Sequence, residues 1–351
     1  MIVHQLIPAA TPADAVTGQA FAWRELLAKW GHSGEIVAEH VHLDLADQVH
    51  RLDREGKHLL SEGVVILRYA IGSKTAKIAM RRPEQVALLY HNITPGNLLR
   101  DFNPTVAELC DRGREALSSF ARPAVLIADS RFNAADLREA GLGEASVVPL
   151  LLELPSEIPP LNGRGEDPVV LYVGRVVPNK RLEDTVKAFA LYQRHRAPSA
   201  SLVMVGSQTG FENYRIALER LVERVGAQRV FITGRISPEA RDAWYRRAHV
   251  YLSMSVHEGF CAPLVESLAH GVPVVARAAG AVPETLGGAG IVLEGDDLPL
   301  FAEALHEVVS STETRRGLAK AGERRLAELR PEVVAPQIKA ALEPLLDGSG
   351  R

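Results

Sequence analysis

Residues 258–276 read EGFCAPLVESLAHGVPVVA, and they predict a loop, a short helix and a buried strand in that order. Pro263 suits the first turn of a helix and Gly271 suits the position just after one, so we expect the helix over residues 263–270. The apolar run VPVVA follows as the strand. The turn at residues 259–262 would then hold backbone N–H groups at the positive end of the helix dipole, which is a suitable place for a phosphate.

A glutamate stands on each side of this turn. Glu258 lies on the predicted loop and Glu266 lies within the predicted helix. Ionised carboxylates only accept hydrogen bonds, so both side chains suit hydroxyl-rich groups on either side of a bound diphosphate. A diphosphate between two sugars is a sugar nucleotide, and the stretch predicts a site for one. The alternative for Glu266 is an ordinary carboxylate on a helix surface.

These residues resemble the donor-site signature of glycosyltransferase family 4, whose members are retaining enzymes of the GT-B fold. The resemblance rests on the Glu-x7-Glu pattern, the Gly-Phe turn and the Gly-x-Pro-Val-Val strand. It implies that Glu258 contacts hydroxyls of the donor sugar, that Glu266 holds the ribose, and that the backbone between them reaches the sugar and diphosphate. That backbone belongs to Gly259, Phe260, Cys261, Ala262 and Leu264. Cys261 departs from the family, where glycine is most usual, and its side chain would narrow the sugar pocket.

The composition fits a globular protein of two domains. The chain has 351 residues, a formal net charge of -3 and 46% hydrophobic residues, and a chain of this length usually divides. The near-neutral charge and sparse aromatic residues predict no nucleic-acid partner. Two cysteines, Cys110 and Cys261, argue against a disulfide framework and favour the cytoplasm. The N-terminus has the pattern of a strand rather than a signal peptide, and no apolar run approaches the ~20 residues that span a bilayer.

Short apolar runs alternate with longer helical patterns, which predicts an α/β fold with parallel sheets covered by helices. The candidate strands are VHQLI, EIVAEH, GVVILRY, VALLYH, AVLIADS and ASVVPL in the first half and PVVLYVG, ASLVMVG, RVFITG, VYLSM and VPVVA in the second. We expect two Rossmann-like domains facing across a cleft that holds the site, as the GT-B fold implies. The acceptor-binding domain would span 1–155, a linker 156–167 and the nucleotide-sugar-binding domain 168–330. The resemblance implies that a C-terminal helix, within 331–351, crosses back to the first domain.

Two cations follow a predicted strand in YVGRVVPNKRLEDTVKAF, residues 172–189. The strand ends at Gly174, and Arg175 and Lys180 come before a helix that begins near Leu182. Cations at the carboxyl end of a strand can neutralise a diphosphate leaving group. The stretch resembles the Gly-Arg-x-x-x-x-Lys element of family 4, which implies that role for Arg175 and Lys180. The alternative is a solvated loop.

A histidine ends another predicted strand, in LLYHNITPGNLL, residues 88–99. In the family the matching histidine lines the reaction centre, which implies that His91 lies near the donor sugar and an acceptor hydroxyl, with Asn92 and Thr94 as neighbours. A structural role for His91 is the alternative.

Two further segments carry weaker signals. Where the family keeps a glycine-rich turn near the donor phosphates, this chain has Asp14 and Ala15, with Gly18 after them. The departure leaves open that Asp14, Thr17 or Gln19 meets the acceptor, or that Asp14 or Thr17 caps a helix. In FITGRISPEARDAWYRRAHVYL the resemblance implies a base pocket, formed by Gly234, Arg235 and Ile236.

A basic segment follows residue 73, and its cations recur near one helical turn apart: Lys74, Lys77, Arg81 and Arg82. Such a face suits weak contact with an anionic membrane or a phosphorylated acceptor, and the alternative is a solvated helix face.

Together these features predict a retaining hexosyltransferase that takes its sugar from a nucleoside diphosphate, UDP or GDP, and passes it to a hydroxyl acceptor. No cofactor and no metal ion are expected, because the chain has no Asp-x-Asp triplet to hold a metal on the diphosphate. The acceptor would be a glycan, a lipid-linked sugar or a small molecule. The alternatives are a nucleotide-sugar epimerase or a phosphorylase on the same fold, or a sugar-nucleotide-binding protein without turnover. Hydrolysis by paired carboxylates is disfavoured, since Glu258 and Glu266 already have other roles.

Overall fold

The chain folds as two units, each built on a parallel β-sheet. The computed structural model describes residues 1–12, 14–155, 158 and 165–346. The first unit comprises Met1–Gly96, Thr105–Glu153 and Leu329–Arg351, and the second comprises Asn97–Pro104 and Leu154–Glu328.

The sheet of the first unit runs in the order β3-β2-β1-β4-β5-β6-β7, with every neighbouring pair parallel. Its strands are β1 (Val3–Ala10), β2 (Ile36–Val41), β3 (His50–Arg51), β4 (Val64–Tyr69), β5 (Val86–Tyr90), β6 (Val125–Ala128) and β7 (Ser146–Val147). The helices between them are α1 (Ala15–Lys29), α2 (Arg54–Leu59), α3 (Lys74–Ala79), α4 (Pro104–Leu117) and α5 (Arg131–Glu139). The central strands β4, β5 and β6 are buried along their whole length, as parallel strands with helices on both faces should be.

The sheet of the second unit runs in the order β10-β9-β8-β11-β12-β13 and is also parallel. Its strands are β8 (Val169–Val173), β9 (Ser201–Val205), β10 (Val230–Gly234), β11 (Val250–Ser253), β12 (Val274–Arg277) and β13 (Ile291–Leu293). Its helices are α6 (Leu182–His195), α7 (Glu212–Val225), α8 (Pro238–Arg247), α9 (Ala262–Ala269), α10 (Val282–Leu286), α11 (Leu298–Ser310) and α12 (Thr312–Leu329). The predicted fold class, two Rossmann-like parallel-sheet domains, is confirmed.

The last helix of the chain, α13 (Pro331–Leu346), belongs to the first unit. Val334, Ile338 and Leu342 are fully buried on it. They share a hydrophobic core with Trp23 of α1 and with strand residues such as Ile66. This helix therefore supplies one wall of the first unit although it lies at the other end of the sequence.

Residues 97–104 group with the second unit, whereas the sequence analysis assigned them to the N-terminal domain. The Phe102 ring meets the Tyr214 ring edge-on with centroids 5.0 Å apart. The side chain of Asn103 donates a hydrogen bond from Nδ2 to the Gly210 carbonyl oxygen at 2.7 Å. These contacts join residues more than a hundred positions apart, and no local pattern could have indicated them.

Smaller differences concern element bounds. Helix α9 covers Ala262–Ala269, one residue earlier than expected. The short edge strands β3 and β13 were missed, since two or three residues carry too little apolar pattern to recognise. Most of the predicted linker 156–167, and the end of the predicted C-terminal segment from 347 on, lie outside the described residues. None of the described helices is long and apolar enough to cross a membrane.

Candidate functional site

The candidate donor site lies at the carboxyl ends of β8 and β11, which are adjacent parallel strands. Gly174 directly follows β8 with φ +153, and a Cβ atom there would lie 2.6 Å from the Tyr172 hydroxyl oxygen, so glycine is required. Arg175 comes next and is exposed, with its guanidinium carbon 5.8 Å from the centre of the Phe211 ring. The loop therefore turns sharply out of the sheet and presents a cation to solvent.

Lys180 and Glu258 form an ion pair across the two loops that follow β8 and β11. The Lys180 ammonium donates to both carboxylate oxygens of Glu258, each at 2.7 Å. The Glu258 side chain is 6% exposed and that of Lys180 is 20% exposed. A buried carboxylate is therefore neutralised by a lysine that keeps some contact with solvent. Any phosphate that binds here must share the Lys180 cation with Glu258.

The main chain around Glu258 is held from several sides. The N–H of Val256 donates to the Asn179 carbonyl oxygen at 3.0 Å, and the N–H of Ala281 donates to the Glu258 carbonyl oxygen at 2.9 Å. Gly280 has φ +54, and a Cβ atom on it would lie 2.3 Å from the same oxygen. The close approach fixes the Glu258 backbone before any ligand arrives.

Helix α9 begins just after Glu258, at an unusual N-cap. Cys261 occupies that position with φ +69, and its side chain does not cap the helix. The backbone N–H groups of Phe260, Cys261 and Ala262 donate no hydrogen bond to any of the described residues. These groups lie at the positive end of the helix, where an anion is stabilised. The side chains of Phe260 and Leu264 are buried in the core, so only their backbone is available to a ligand.

The Cys261 thiol lies beside the ion pair. Burial, followed by the Glu258 carboxylate, holds the pKa of this thiol well above its ordinary value. The thiol is therefore protonated near neutral pH and acts as a small side chain next to Glu258, where the family most often has glycine.

Glu266, on α9, is oriented by a buried tyrosine. The Tyr245 hydroxyl donates to Oε2 of Glu266 at 2.8 Å. The Tyr245 ring stacks on His270 with centroids 4.8 Å apart, and the His270 Nδ1 atom lies 2.8 Å from the Glu266 carbonyl oxygen. Burial and then Glu266 raise the pKa of Tyr245, so the hydroxyl stays a donor. The arrangement fixes one carboxylate oxygen of Glu266 in place.

The predicted base pocket lies after β10 at the edge of the sheet. Gly234 ends the strand with φ +70 and is buried, Arg235 is exposed and Ile236 is half-buried. Ser237 then caps α8, the helix that carries Tyr245. Among the described residues, neither Arg235 nor Ile236 contacts Glu266 through a hydrogen bond or an ion pair, so their role in binding the base stays a prediction.

In the first unit, Asp14 is a helix cap. Its carboxylate accepts from the Thr17 N–H at 3.0 Å and from the Thr17 hydroxyl at 3.1 Å, which is one of the two roles left open by the sequence. Gln19 is buried, and its amide makes two hydrogen bonds to the backbone of Leu151. Ala15 is the first residue of α1 and, like the later Gly18, is exposed.

His91 follows β5 and lies in a buried polar cluster. Its Nδ1 atom lies 2.7 Å from Oδ2 of Asp129, and its Nε2 atom lies 3.1 Å from Nη1 of Arg68. The imidazole is 6% exposed. The next residue, Asn92, has φ +70, and its side-chain amide donates to Oδ1 of Asn133 at 2.8 Å. The half-buried Thr94 follows on the same loop. The imidazole nitrogens are therefore already engaged by protein groups.

The basic segment does not form a single charged face. Helix α3 ends at Ala79, so Arg81 and Arg82 lie beyond it. Lys74 pairs with Glu39 at 3.2 Å, and the Arg82 guanidinium donates to two backbone carbonyls. Only Lys77 and Arg81 of the predicted set are exposed without such a contact. The expectation of four cations on one helical face was therefore wrong.

Three residues of the site were missed by the sequence analysis: Arg68, Asp129 and Tyr245. Arg68 is a cation inside the apolar run GVVILRY, and Asp129 directly follows a buried strand, as His91 does. Those two signals were present in the sequence. Tyr245 lies on a helix 21 residues before its partner and had no such signal. No group of three or more His, Cys, Asp or Glu side chains that could hold a metal ion occurs among the described residues.

Known proteins resemble the part of the chain that carries Lys180, Glu258 and Glu266. Residues 156–325 match the family model described as glycosyl transferases group 1. The O-antigen chain mannosyltransferase B of Escherichia coli is 29% identical over 158 residues, which cover 43% of this chain and 40% of that protein. The GDP-mannose-dependent alpha-(1-6)-phosphatidylinositol monomannoside mannosyltransferase of Mycolicibacterium smegmatis is 30% identical over 171 residues, which cover 46% of this chain and 43% of that protein. The matched segment is thus less than half the length of either relative.

Solved structures resemble nearly the whole chain. Sucrose-phosphate synthase from Thermosynechococcus elongatus has a TM-score of 0.78 at 21% identity, over 99% of this chain and 100% of that one. WaaG, a glycosyltransferase involved in lipopolysaccharide biosynthesis, has a TM-score of 0.69 at 15% identity, over 97% and 98%. At these identities the likeness establishes the fold, which is that of GT-B glycosyltransferases. The match over residues 156–325, which include Lys180, Glu258 and Glu266, supports a glycosyltransferase of group 1.

Proposed function

We propose that this protein is a retaining hexosyltransferase that moves a sugar from a nucleoside diphosphate to a hydroxyl acceptor without a metal ion. The observation that carries the proposal is the Lys180–Glu258 ion pair, which stands at the ends of two adjacent strands beside the free N–H groups that open α9. A cation, a buried carboxylate and a helix N-terminus are the groups that a sugar diphosphate needs. The family of residues 156–325 supports the same reaction class.

The donor would bind mainly to the second unit. The diphosphate would lie against the backbone of residues 259–262, the ribose on Glu266 and the sugar on Glu258. Several relatives are named GDP-mannose-dependent mannosyltransferases, which favours GDP-mannose. Another structural relative, the Anabaena protein HepE, is described in complex with UDP and glucose, so UDP-glucose is the second donor to test.

The transfer would take place on one face of the sugar. The bond between the anomeric carbon and the diphosphate oxygen breaks, Arg175 and Lys180 stabilise the negative charge on the leaving group, and the acceptor oxygen bonds to the same face. The departing phosphate oxygen takes the acceptor proton, so no enzyme nucleophile and no cofactor are needed. Glu258 would orient the sugar. Fixed charges of this kind are worth on the order of 3 kcal/mol each in the barrier.

The acceptor would bind to the first unit, where Ala15 and Gly18 lie at the start of α1. A glycan, a lipid-linked sugar and a small molecule are all compatible with a hydroxyl acceptor, and weak contact with a membrane surface would bring a lipid-linked acceptor close. The relatives named for phosphatidylinositol mannoside favour testing lipid-linked mannosides first. The cytoplasmic location expected from the cysteine content stays a prediction.

The test is a turnover assay with GDP-mannose or UDP-glucose in EDTA and a panel of mannosides, glucosides and lipid-linked sugars. We expect acceptor-dependent release of GDP or UDP, and a product whose anomeric configuration by proton NMR equals that of the donor. The matched control is Glu258→Gln, which keeps the side-chain size and removes the charge. An inverted product, or activity that returns only with a divalent cation, would overturn the proposal. Donor binding without sugar release would identify a binding protein instead.

A further inference from the structure

We propose that Arg68 and Asp129 are positioning residues that lock His91 with its proton on Nδ1 and its Nε2 lone pair occupied. His91 then has no free lone pair with which to accept a proton from an acceptor hydroxyl or from water. The inference rests on the proposed function, because a proton acceptor on His91 matters only if an acceptor hydroxyl reacts.

The three side chains meet because three adjacent parallel strands end together. Strand β5 lies between β4 and β6, and Tyr90 is in register with Tyr69 on one side and Ala128 on the other. Arg68 is the last residue but one of β4, while His91 and Asp129 each follow the last residue of their strands. The sheet therefore sets the spacing of the cluster, and no loop rearrangement is needed to form it.

The donors and acceptors of the cluster permit one arrangement of the imidazole proton. An arginine side chain only donates, so the Nη1 group of Arg68, 3.1 Å from Nε2, requires a lone pair on that nitrogen. An ionised carboxylate only accepts, so Oδ2 of Asp129, 2.7 Å from Nδ1, requires the proton there. In the opposite tautomer, the N–H donor at Nε2 would face the Arg68 donor, and the lone pair on Nδ1 would face the Asp129 acceptor.

Charge balance favours the same state. With a neutral imidazole, the one positive charge of the cluster on Arg68 and the one negative charge on Asp129 balance. The Arg68 side chain is fully buried, and those of His91 and Asp129 are 6% and 5% exposed. Uncompensated charge is costly at such positions. Burial lowers the pKa of Arg68 to about 9, against the opposing effect of Asp129, so the guanidinium is still charged at neutral pH.

Arg68 cannot easily turn away from His91. Its Nε atom donates to Oε1 of Gln5 at 2.9 Å, and Nη2 donates to the Gln19 carbonyl oxygen at 3.0 Å. The guanidinium carbon lies 4.8 Å from the centre of the Trp23 ring. Three sides of the group are thus held by α1 and β1, and the fourth faces the imidazole.

The cluster differs by one group from the arrangement in which a histidine acts as a general base. A histidine bonded to a carboxylate through Nδ1 is a general base when Nε2 is left free to reach a substrate hydroxyl. Here Arg68 occupies that position. The acceptor proton must then leave on another group, for which the departing phosphate of the donor is available.

The test is the tautomer of His91, read by long-range proton–nitrogen NMR on the full chain labelled with nitrogen-15 histidine at pH 8, without substrate. We expect His91, assigned by its loss in His91→Gln, to carry its proton on Nδ1. His249 is the internal control, because its Nδ1 accepts from the Val169 N–H and its Nε2 faces a carbonyl oxygen, so its proton belongs on Nε2. A proton on Nε2 of His91, or averaging between the two nitrogens, would overturn the proposal whether or not the chain transfers sugar.

Two substitutions of Asp129 separate positioning from mere folding, with folding checked by circular dichroism. Asp129→Asn keeps an oxygen that accepts from Nδ1, so the wild-type tautomer should persist. Asp129→Ala removes that acceptor, so the imidazole is no longer held in place against Arg68, and the fraction of the Nδ1-protonated form should fall. With the donor and acceptor identified, Asp129→Ala should lower kcat about tenfold to a hundredfold with little change in the donor KM, because the group is misplaced rather than unbound. Equal spectra for the two variants would contradict the proposal.

Discussion

The Lys180–Glu258 ion pair offers the sharpest prediction of stability. Opposite charges 2.7 Å apart, as the ammonium and carboxylate atoms are here, attract by ~6 kcal/mol at an effective dielectric constant of about 20, before the cost of removing both from water. Removing one partner of such a buried pair typically costs ~3–5 kcal/mol, because the other charge is left uncompensated. Lys180 keeps 20% exposure and can be reached by water, so the loss of stability in Glu258→Leu should lie near the lower limit of this range. The loss in Lys180→Met should be larger, because it leaves the buried Glu258 carboxylate without its partner.

The double variant decides whether the two residues act as a pair. Replacing both charges with apolar groups removes the attraction together with the desolvation cost, so the double variant should be more stable than either single one, by ~1–3 kcal/mol. Urea-dependent hydrogen exchange of peptides from β8 and β11 measures the opening free energy of the second unit without interference from the first.

A surface ion pair gives the matched control for this cycle. Arg196 and Glu303 are linked by two hydrogen bonds, at 3.0 and 2.8 Å, but both side chains are about half exposed. Solvent screens such pairs, so the corresponding cycle should give a much smaller coupling. Additive effects of the Lys180 and Glu258 variants, or a coupling no larger than in the control, would show that the two residues do not act as a buried pair.

Three further predictions concern other parts of the molecule. Tyr245→Phe removes the hydrogen bond to Glu266 and should weaken nucleotide binding about fivefold in calorimetry; Tyr192→Phe, which removes a buried hydroxyl without a partner among the described residues, should not. Burial raises the pKa of the Cys261 thiol, so its alkylation by iodoacetamide should be slow at pH 8 and should become steadily faster at higher pH. Mass spectrometry measures the rate of alkylation, and a rate that stays constant above pH 8 would contradict this prediction. Ile338→Ala should destabilise the first unit by ~2–5 kcal/mol, because the side chain is fully buried. Hydrogen exchange measures this loss, and amide protection equal to that of the wild type would exclude α13 from the core of the first unit.

The sequence predicted the sheets well because their signal is local. Each candidate strand was a short apolar run between turn residues, and the structure has a strand at every one of them. The loop and helix after Glu258 were equally readable, since Pro263 and Gly271 mark the helix ends. Helix α9 begins at Ala262, one residue earlier than predicted, and this difference changes nothing in the site.

Contacts between distant segments were not predictable in the same way. Residues 97–104 join the second unit through Phe102 and Asn103. Their partners, Tyr214 and Gly210, come after β9, which is the second strand of that unit. The pairing of Lys180 with Glu258 was also missed, because each was assigned to a ligand and not to the other. The charged groups of the site pair with each other, and spacing along the sequence does not reveal which groups do so.

Arg68 illustrates a signal that was present but not used. A cation inside an otherwise apolar strand must find buried partners, and an aspartate and a histidine at the ends of the two following strands were available. His91 had been interpreted by resemblance, as a residue near the sugar. The structure adds that both of its ring nitrogens are already bonded within the first unit.

In the proposed function, the second unit binds a sugar nucleotide through Glu266 and the start of α9. Isothermal titration calorimetry of GDP, UDP and ADP in EDTA, on the wild type and on Glu266→Ala, tests it most directly. We predict one-to-one binding with a preference for one base, GDP first, and at least a tenfold loss of affinity in the variant, equal to ~1.4 kcal/mol. Binding of none of the three nucleotides, or equal affinity in the wild type and the variant, would contradict the account.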